Sequence, residues 1–252
     1  MRLFRAHGLG NDYLLYERGP ALTPALVRAI CDRHHGVGSD GLLEPCLSPD
    51  RALPGVRIHN PDGSEAEKSG NGLRIYAWWR TKGATDRFWV WTRGGIVACA
   101  VDGMNVSVEM GVATRGDPRL VEGVVIHPVD LGNPHAVVLG MPPDWMELGA
   151  RIEQAVPGRS NVQFIEVVGP HQVRARIWER GAGHTLSSGS SACAIAAVVV
   201  GRSLATSPVQ VEMEGGSLHV VVEDDGRVTL RGPVEPVGTI EVHAGWVARR
   251  RG

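Results

Sequence analysis

The hydrophobic positions of the chain change their spacing in a regular order. Residues 56–60 and 88–110 alternate between apolar and polar side chains and are divided by glycine-containing turns, a pattern typical of short strands. The stretch Ala192 to Val200 is different, because nine consecutive apolar residues follow shortly after Ser188-Gly189. A helix with no polar face must be surrounded by other elements. The pattern therefore predicts a sheet that wraps around a buried helix.

This order of elements occurs twice along the chain. In the first part, the strand at 56–60 precedes a helix that starts at Ser69, and three strands follow. In the second part, two strands precede a helix that starts at Ser188, and three strands follow. Two short markers also recur at nearly equal separations: Leu9-Gly10-Asn11 as Leu131-Gly132-Asn133, and Ser69-Gly70 as Ser188-Gly189. The repetition indicates two similar halves that arose by duplication.

Two further helices are predicted outside the Ser-Gly repeats. Thr23-Pro24 fits an N-cap followed by proline at the first helical position, and this helix should run to about His34. The other spans about 144–154. The expected fold class is α+β, with two pseudo-symmetric halves, each a mostly antiparallel sheet wrapped around a central apolar helix. We expect residues 1–116, joined by the C-terminal segment 233–252, to form the N-terminal half and residues 117–232 to form the C-terminal half.

Composition excludes several classes of protein. With 43% hydrophobic residues and a formal net charge of -1 over 252 residues, the chain reads as globular, and it lacks the positive excess that nucleic acid or an anionic membrane would attract. No apolar run approaches the roughly 20 residues that a membrane-spanning helix needs. The N-terminus also lacks the apolar core of a signal peptide. We therefore expect a cytoplasmic protein without a nucleic-acid or membrane partner.

Three sequence patterns could suggest a disulfide, a metal site or a bound dinucleotide, but none of them fits its context. The four cysteines, Cys31, Cys46, Cys99 and Cys193, are widely spaced without C-x-x-C, so we expect buried thiols rather than a zinc site or disulfides. Residues 36–41 match the glycine pattern of dinucleotide-binding proteins, but they follow a predicted helix instead of a strand. His34-His35 lacks metal-ligand spacing with other candidates. No metal site is predicted.

The two Ser-Gly helix starts are the candidate chemistry. The first turn of a helix has unpaired backbone N–H groups and the positive end of the macrodipole, and it therefore attracts anions. If the halves are related by a pseudo-twofold axis, both starts can face one cleft and hold a carboxylate from two sides. The alternative for each serine is a plain N-cap, and for each nearby asparagine a turn residue.

A set of motifs spanning nearly the whole chain resembles the diaminopimelate epimerase family. The motifs, in chain order, are HGLGNDY, GVGSDG, HNPDGSEAEKSGNGLR, LGNPH, SNVQF, WERGAGHTLSSGSSACA and EGGSL. The resemblance implies a homodimeric amino-acid isomerase of lysine and peptidoglycan biosynthesis that uses no cofactor, neither pyridoxal phosphate nor a metal. It also implies two cysteines that face each other across the cleft, where one thiolate removes the α-proton and the opposite thiol returns one.

The resemblance assigns roles to individual residues. The two thiol positions are Ser69 and Ser188, so both thiols are missing. His135 and Glu179 match residues that assist proton transfer. The positions for the distal end of the amino acid are Asn11, Asn60, Asn133, Asn161 and Arg180, and those for the reacting carboxylate are Gly70, Asn71, Gly189 and Ser190. Two further departures are Gly41, where the family usually has glutamine, and His184-Thr185, where it usually has Glu-Thr.

The serines change the energetics of proton abstraction and leave three hypotheses open. If an alcohol lies roughly five pH units above a thiol, ionising it costs on the order of 7 kcal/mol more, which a helix dipole worth up to about 2 kcal/mol does not offset. The first hypothesis is a diaminopimelate epimerase-like isomerase that remains active. The second is an enzyme with changed chemistry, a lyase or one-base racemase in which His135 or His184 acts as base. The third is a binding protein without activity.

Overall fold

Residues 1–250 are described by a computed structural model; Arg251 and Gly252, the end of the predicted C-terminal segment, lie outside the described residues. The chain divides into two compact units. The first half, as the term is used below, comprises residues 1–108 and the segment that begins at Pro233, and the second half comprises residues 109–232. The predicted boundary between residues 116 and 117 stays a prediction.

The first half is built from strands around one long helix. Its elements are β1 (Arg2–Gly8), β2 (Asn11–Arg18), α1 (Pro24–Cys31), β3 (Leu42–Leu47), β4 (Pro54–His59), β5 (Glu65–Ala66), α2 (Gly70–Thr81), β6 (Asp86–Thr92), β7 (Gly95–Asp102) and most of β8 (Asn105–Val112).

The second half has a similar composition of elements. They are β9 (Thr114–Arg115), β10 (Arg119–Val121), β11 (Val124–Asp130), β12 (Pro134–Leu139), α3 (Trp145–Ala155), β13 (Asn161–Gly169), β14 (Gln172–Glu179), β15 (Gly183–Thr185), α4 (Gly189–Gly201), β16 (Val209–Met213), β17 (Gly216–Val222) and most of β18 (Arg227–Pro233). The C-terminal segment adds β19 (Glu235–Glu241) and α5 (Ala244–Ala248) to the first half.

Strand pairing is the same in both halves. The hairpin β1–β2 corresponds to β11–β12, and the parallel pair β2–β3 corresponds to β12–β13. Antiparallel pairs β3–β4, β4–β5 and β6–β7 correspond to β13–β14, β14–β15 and β16–β17. The parallel pair β4–β6 likewise corresponds to β14–β16. The predicted repetition of the element order and the predicted fold class are confirmed.

The two Ser-Gly helices are the central helices of their halves, as the sequence predicts. Helix α4 is apolar from Ala192 to Val200. It is buried from Ser191 to Val199, and it packs on β11, β12, β13, β16 and β17. Helix α2 is buried from Gly70 to Ala77 and packs on β1, β2, β3, β4 and β7. Apolar side chains around the whole circumference of α4 are compatible only with such enclosure.

Helix α1 ends earlier than its sequence predicts. Thr23 caps it by accepting the Leu26 N–H at 3.2 Å, and Pro24 is the first helical residue, as expected. The helix stops at Cys31 rather than near His34, because Asp32 leaves the helical conformation and its carboxylate accepts the N–H groups of His34 and His35. An aspartate that binds the following backbone in this way competes with helix propagation.

The cysteines are all free, but one departs from the prediction of buried thiols. Cys31, Cys99 and Cys193 are buried, and burial raises the pKa of the Cys99 thiol to about 12. Cys46 is only half-buried, because it lies toward the outer end of β3, where the next residue, Leu47, is exposed. No helix among residues 1–250 has the length and apolar character that crossing a membrane requires.

The C-terminal segment is part of the first half. Strand β19 pairs antiparallel with β1, from Arg2 opposite Glu241 to His7 opposite Glu235. The Val242 N–H donates to the Met1 carbonyl at 2.8 Å and continues the pairing beyond the strand. As a result, β1 lies between β2 and β19.

Candidate functional site

In the first half, Ser69 is the N-cap of α2 and has a second hydrogen-bonding partner. Its backbone is extended, and its Oγ accepts the Gly72 N–H at 3.1 Å. The same Oγ shares a hydrogen bond of 3.0 Å with the phenolic oxygen of Tyr13 on β2. Ser69 is therefore an N-cap, and it is also hydrogen-bonded to the ionisable side chain of Tyr13. The hydroxyl lies where the first-turn N–H groups of the helix stabilise negative charge.

Asn11 and Asn71, both predicted to bind substrate, are brought together. Asn71 is almost fully buried in the first turn of α2, and its Nδ2 donates to Asn11 Oδ1 at 2.5 Å and to the Asn11 carbonyl at 2.9 Å. Asn11 Nδ2 donates in turn to Asp40 Oδ2 at 2.8 Å. Arg33 bridges Asp40 and Asp12, with N–O distances of 2.6 and 2.7 Å. Asp40, which is itself paired with Arg33, therefore sets the orientation of the Asn11 amide.

Asn60 occupies the turn that links β4 to β5. Its backbone N–H donates to the Ser64 carbonyl at 2.8 Å, and its Nδ2 donates to Ser64 Oγ at 2.9 Å. These contacts give Asn60 the turn role that was its alternative on sequence grounds. A role in binding substrate stays a prediction.

In the second half, Ser188 begins α4 with the same extended backbone as Ser69. Its carbonyl accepts the Ala192 N–H at 3.0 Å, but within the described chain its side chain makes no capping hydrogen bond. The residue is buried, with 8% of its surface exposed. Gly189 and Ser190, the predicted carboxylate anchors, follow it in the first helical turn and are half-buried. The two helix starts therefore share a backbone conformation and differ in their side-chain contacts.

His135 lies on β12 in a buried network of polar side chains. Its Nδ1 accepts a hydrogen bond from Gln163 Nε2 at 3.0 Å, and its Nε2 donates to Asn133 Oδ1 at 3.1 Å. Gln163 Nε2 also donates to Ser191 Oγ at 3.0 Å, in the first turn of α4. Burial, with a smaller effect from Arg180, lowers the pKa of His135 to about 3. The imidazole is neutral, and both of its nitrogens are occupied, which disfavours His135 as the base for a serine.

Asn161 connects the start of β13 to the loop after β14. Its Nδ2 donates to the Pro134 carbonyl at 3.1 Å, and its Oδ1 accepts the Arg180 N–H at 3.0 Å. The Arg180 residue is exposed, and its guanidinium donates to the Gly158 carbonyl at 3.4 Å. Glu179 is half-buried at the end of β14, next to Arg180. Asn133, Asn161, Glu179 and Arg180 thus lie in adjoining segments of the second half.

Glu153 on α3 is hydrogen-bonded to the loop after β14. Its carboxylate accepts hydrogen bonds from Trp178 Nε1 at 2.7 Å, from the Gly181 N–H at 2.8 Å and from Arg159 at 2.5 Å. Burial alone would raise the pKa of this carboxyl, but the hydrogen bonds and the Arg159 charge together lower it. Ionised Glu153 therefore fixes the backbone next to Arg180.

His184, the possible altered base, lies on β15 with a charged partner. Its Nε2 contacts Glu214 Oε2, and Glu214 also pairs with Arg176 at 3.2 Å. The ring packs edge to face against Trp145, with 5.2 Å between centroids. A carboxylate bound to one imidazole nitrogen orients the ring.

The described residues, 1–250, contain no group of three or more His, Cys, Asp or Glu side chains arranged to hold a metal ion. His34 and His35 stack edge to face on the surface beside Asp32. Their contacts belong to the end of α1.

Besides Asp12 and Arg33, four side chains of the two networks are not among the residues predicted from sequence. These are Tyr13, Asp40, Gln163 and Ser191. All four fall inside the motifs quoted above, so the motifs marked the correct segments. Neither their spacing nor their residue types indicates that these side chains contact predicted site residues.

Solved structures share this fold over nearly the whole chain. A predicted epimerase from Pseudomonas aeruginosa aligns with a TM-score of 0.74 and 17% identity over 96% of this chain and 98% of its own. A probable proline racemase from Agrobacterium radiobacter K84 aligns with a TM-score of 0.72 and 15% identity, covering 96% and 93%. The chain thus has the fold of the epimerase and racemase class.

Sequence comparison narrows the class to a family. The family model for diaminopimelate epimerase matches residues 3–116 and 128–237, and each segment contains one Ser-Gly helix start. Diaminopimelate epimerase 2 of Nostoc sp. PCC 7120 is 38% identical over 91% of both chains. The diaminopimelate epimerase of Azoarcus sp. BH72 is 40% identical over 94% of this chain and 96% of its own. The chain belongs to the diaminopimelate epimerase family.

Proposed function

We propose that the protein is a pyridoxal-phosphate-independent isomerase that changes the configuration at an α-carbon of diaminopimelate or a related amino acid, in lysine and peptidoglycan biosynthesis. The observation that carries the proposal is the family match to both halves, at up to 40% identity to the relatives above. The networks around Asn11, Asn71, Asn133 and Asn161 support it, because they present neutral amides beside two helix starts.

In this proposal, proton transfer and binding of the reacting carboxylate take place at the two helix starts. Ser69 and Ser188 are the proton-transfer positions, and Glu179 assists them. The N–H groups of Gly70, Asn71, Gly189 and Ser190 bind the reacting carboxylate, since first-turn N–H groups and the helix dipole favour an anion. Asn11, Asn60, Asn133, Asn161 and Arg180 bind the distal amino-acid group. His135 is kept neutral by burial, so it orients Asn133 rather than removing a proton.

A second candidate is favoured by the contact between His184 and Glu214. A histidine oriented by a carboxylate is a common general base, and one such base supports elimination or exchange from a single face. In that case, His184→Ala abolishes turnover while Ser69→Ala has little effect. The serine-based isomerase predicts the opposite ranking of the two variants.

The test is exchange of the α-proton in heavy water. Each stereoisomer of diaminopimelate is incubated with the protein, and deuterium at each α-carbon is followed by NMR together with the change of configuration. If the protein is an isomerase, we expect deuterium at the α-carbon of the product whose configuration is inverted. Absence of exchange at every pH examined contradicts the proposal, and tight calorimetric binding without product then identifies a binding protein.

The assembly and location belong to the same proposal. We propose a cytoplasmic homodimer, which the family resemblance supports. Sedimentation equilibrium of the full chain tests the dimer, since a mass of one 27.0 kDa chain would contradict it.

A further inference from the structure

Tyr13 is placed as a partner for Ser69. The residue is 8% exposed on β2, and its phenolic oxygen lies 3.0 Å from Ser69 Oγ. Ser69 Oγ simultaneously accepts the Gly72 N–H at 3.1 Å. An oxygen that already accepts from the helix can release its own proton more readily, because the first-turn N–H stabilises the negative charge that remains.

Gly41 makes room for the Tyr13 ring. A Cβ built at Gly41 would lie 2.6 Å from Tyr13 Cε1 and 2.8 Å from the His59 carbonyl oxygen. No other residue fits there unless the ring or the β4 backbone moves. Position 41 is where the family resemblance leads one to expect glutamine. The glycine, the phenol and the serine are therefore linked by contact.

The acidity of a phenol is closer to that of a thiol than the acidity of an alcohol is. The ordinary pKa of tyrosine is about 10 and that of cysteine about 8.5, so at a given pH the phenolate is roughly 30-fold less populated than a thiolate. For an alcohol roughly five pH units above the thiol, the factor is on the order of 10⁵. Of the two hydroxyls at this helix start, the phenol is therefore intrinsically the stronger acid.

We propose that Tyr13 exchanges a proton with Ser69 during proton transfer at the first helix start, an inference that rests on the proposed function. With Tyr13 as phenolate, Ser69 Oγ takes the α-proton as its own hydroxyl proton passes to Tyr13 Oη. The Cα–H bond breaks and its electron pair stays on the carbon; one O–H bond forms at each oxygen, and the old Ser69 O–H bond breaks. The reverse sequence returns a proton to the carbanion. Tyr13 acts through Ser69 and is a positioning residue.

Several charged groups on the neighbouring elements have partners other than Ser69. Asp12, next to Tyr13 on β2, pairs with Arg5 of β1 at 2.6 Å and with Arg33 at 2.7 Å. On β3 and β4, Glu44 pairs with His59 at 3.0 Å. Two further groups are Asp40 in the loop before β3, which pairs with Arg33, and Arg74 of α2, which donates to Asn71. The phenol of Tyr13, by contrast, is hydrogen-bonded to Ser69 Oγ itself.

The first experiment compares two single-atom deletions on the same strand. Tyr13→Phe removes the hydroxyl at Ser69, and Tyr16→Phe removes a hydroxyl that donates to the Pro20 carbonyl at 2.7 Å. In the heavy-water exchange assay, we expect Tyr13→Phe to slow exchange at least 100-fold and Tyr16→Phe to change it less than twofold. Exchange by Tyr13→Phe at the wild-type rate overturns the inference and leaves the proposed function standing.

The second experiment separates proton transfer from a structural role. Tyr13→Phe is measured again in the Ser69→Cys background, where a thiol ionises without help from a phenol. We expect the 100-fold loss to shrink to less than fivefold. An equal loss in both backgrounds shows that Tyr13 only shapes the site and overturns the inference. Absence of exchange in the wild type itself overturns the inference together with the proposed function.

Discussion

His135 Nδ1 accepts a hydrogen bond from Gln163 Nε2 across 3.0 Å, inside the second half. Gln163 is fully buried and His135 is 2% exposed. The pair joins β12 to β13 and, through Ser191, to the first turn of α4. A neutral imidazole suits this arrangement, because Nδ1 must be free of a proton in order to accept from an amide.

The first prediction concerns stability at low pH. The pKa of His135 is lowered to about 3 in the folded protein, so between pH 6.5 and that value the unfolded state binds a proton that the folded state does not. Stability is therefore lost as the pH falls below 6.5, by about 2 kcal/mol at pH 5. Urea unfolding of His135→Gln should show a flatter pH dependence. His219→Gln, an exposed histidine of the same half, should keep the wild-type slope; equal slopes for both variants contradict the assignment.

The second prediction concerns Glu153. Its carboxylate receives three hydrogen bonds, from Trp178, Gly181 and Arg159. Because its pKa is lowered on folding, ionised Glu153 stabilises the protein above the ordinary carboxyl pKa, and this contribution is lost as the pH falls through and below that value. Glu153→Gln should lower the free energy of unfolding at pH 7 by about 2 to 3 kcal/mol. The exposed Glu147→Gln on the same helix should change it by less than about 0.5 kcal/mol.

The third prediction concerns the space at Gly41. Gly41→Ala places a methyl group against Tyr13 and should cost about 1 to 3 kcal/mol of stability. In a Tyr13→Ala background the additional cost should fall without disappearing, because the ring is gone while the His59 carbonyl oxygen still lies 2.8 Å from the added Cβ. Gly169→Ala is the control, since a Cβ there would lie 3.8 Å from Gln172 Cβ, an ordinary van der Waals contact. A cost at Gly41 that is independent of the residue at position 13 would contradict the contact.

The fourth prediction concerns the missing thiols. The double variant Ser69→Cys with Ser188→Cys should raise the rate of α-proton exchange at least 100-fold at neutral pH. A thiol near a helix N-terminus ionises close to neutrality, while an alcohol does not. Ser107→Cys, which adds a thiol on β8, controls for nonspecific effects. Unchanged exchange in the double variant would mean that neither position delivers the proton.

The parts of the fold that depend on local sequence can be predicted from the sequence alone. The Ser-Gly starts of α2 and α4, the Thr23 cap and the turn markers depend on residues a few positions apart, and the repeated pattern disclosed the two halves. Tyr13 and Ser69 are separated by 56 residues, and His135 and Gln163 by 28. Their contacts depend on which strand lies beside which helix. The early end of α1 was missed for a smaller reason, the competition of Asp32 for the backbone.

The pairing of β19 with β1 orders events during synthesis. Strand β1 is translated long before its partner β19, which is complete only when residue 241 has been added. The second half, residues 109–232, is by then fully translated. The N-terminal strands must therefore wait with one edge uncovered, and the half encoded first is finished last.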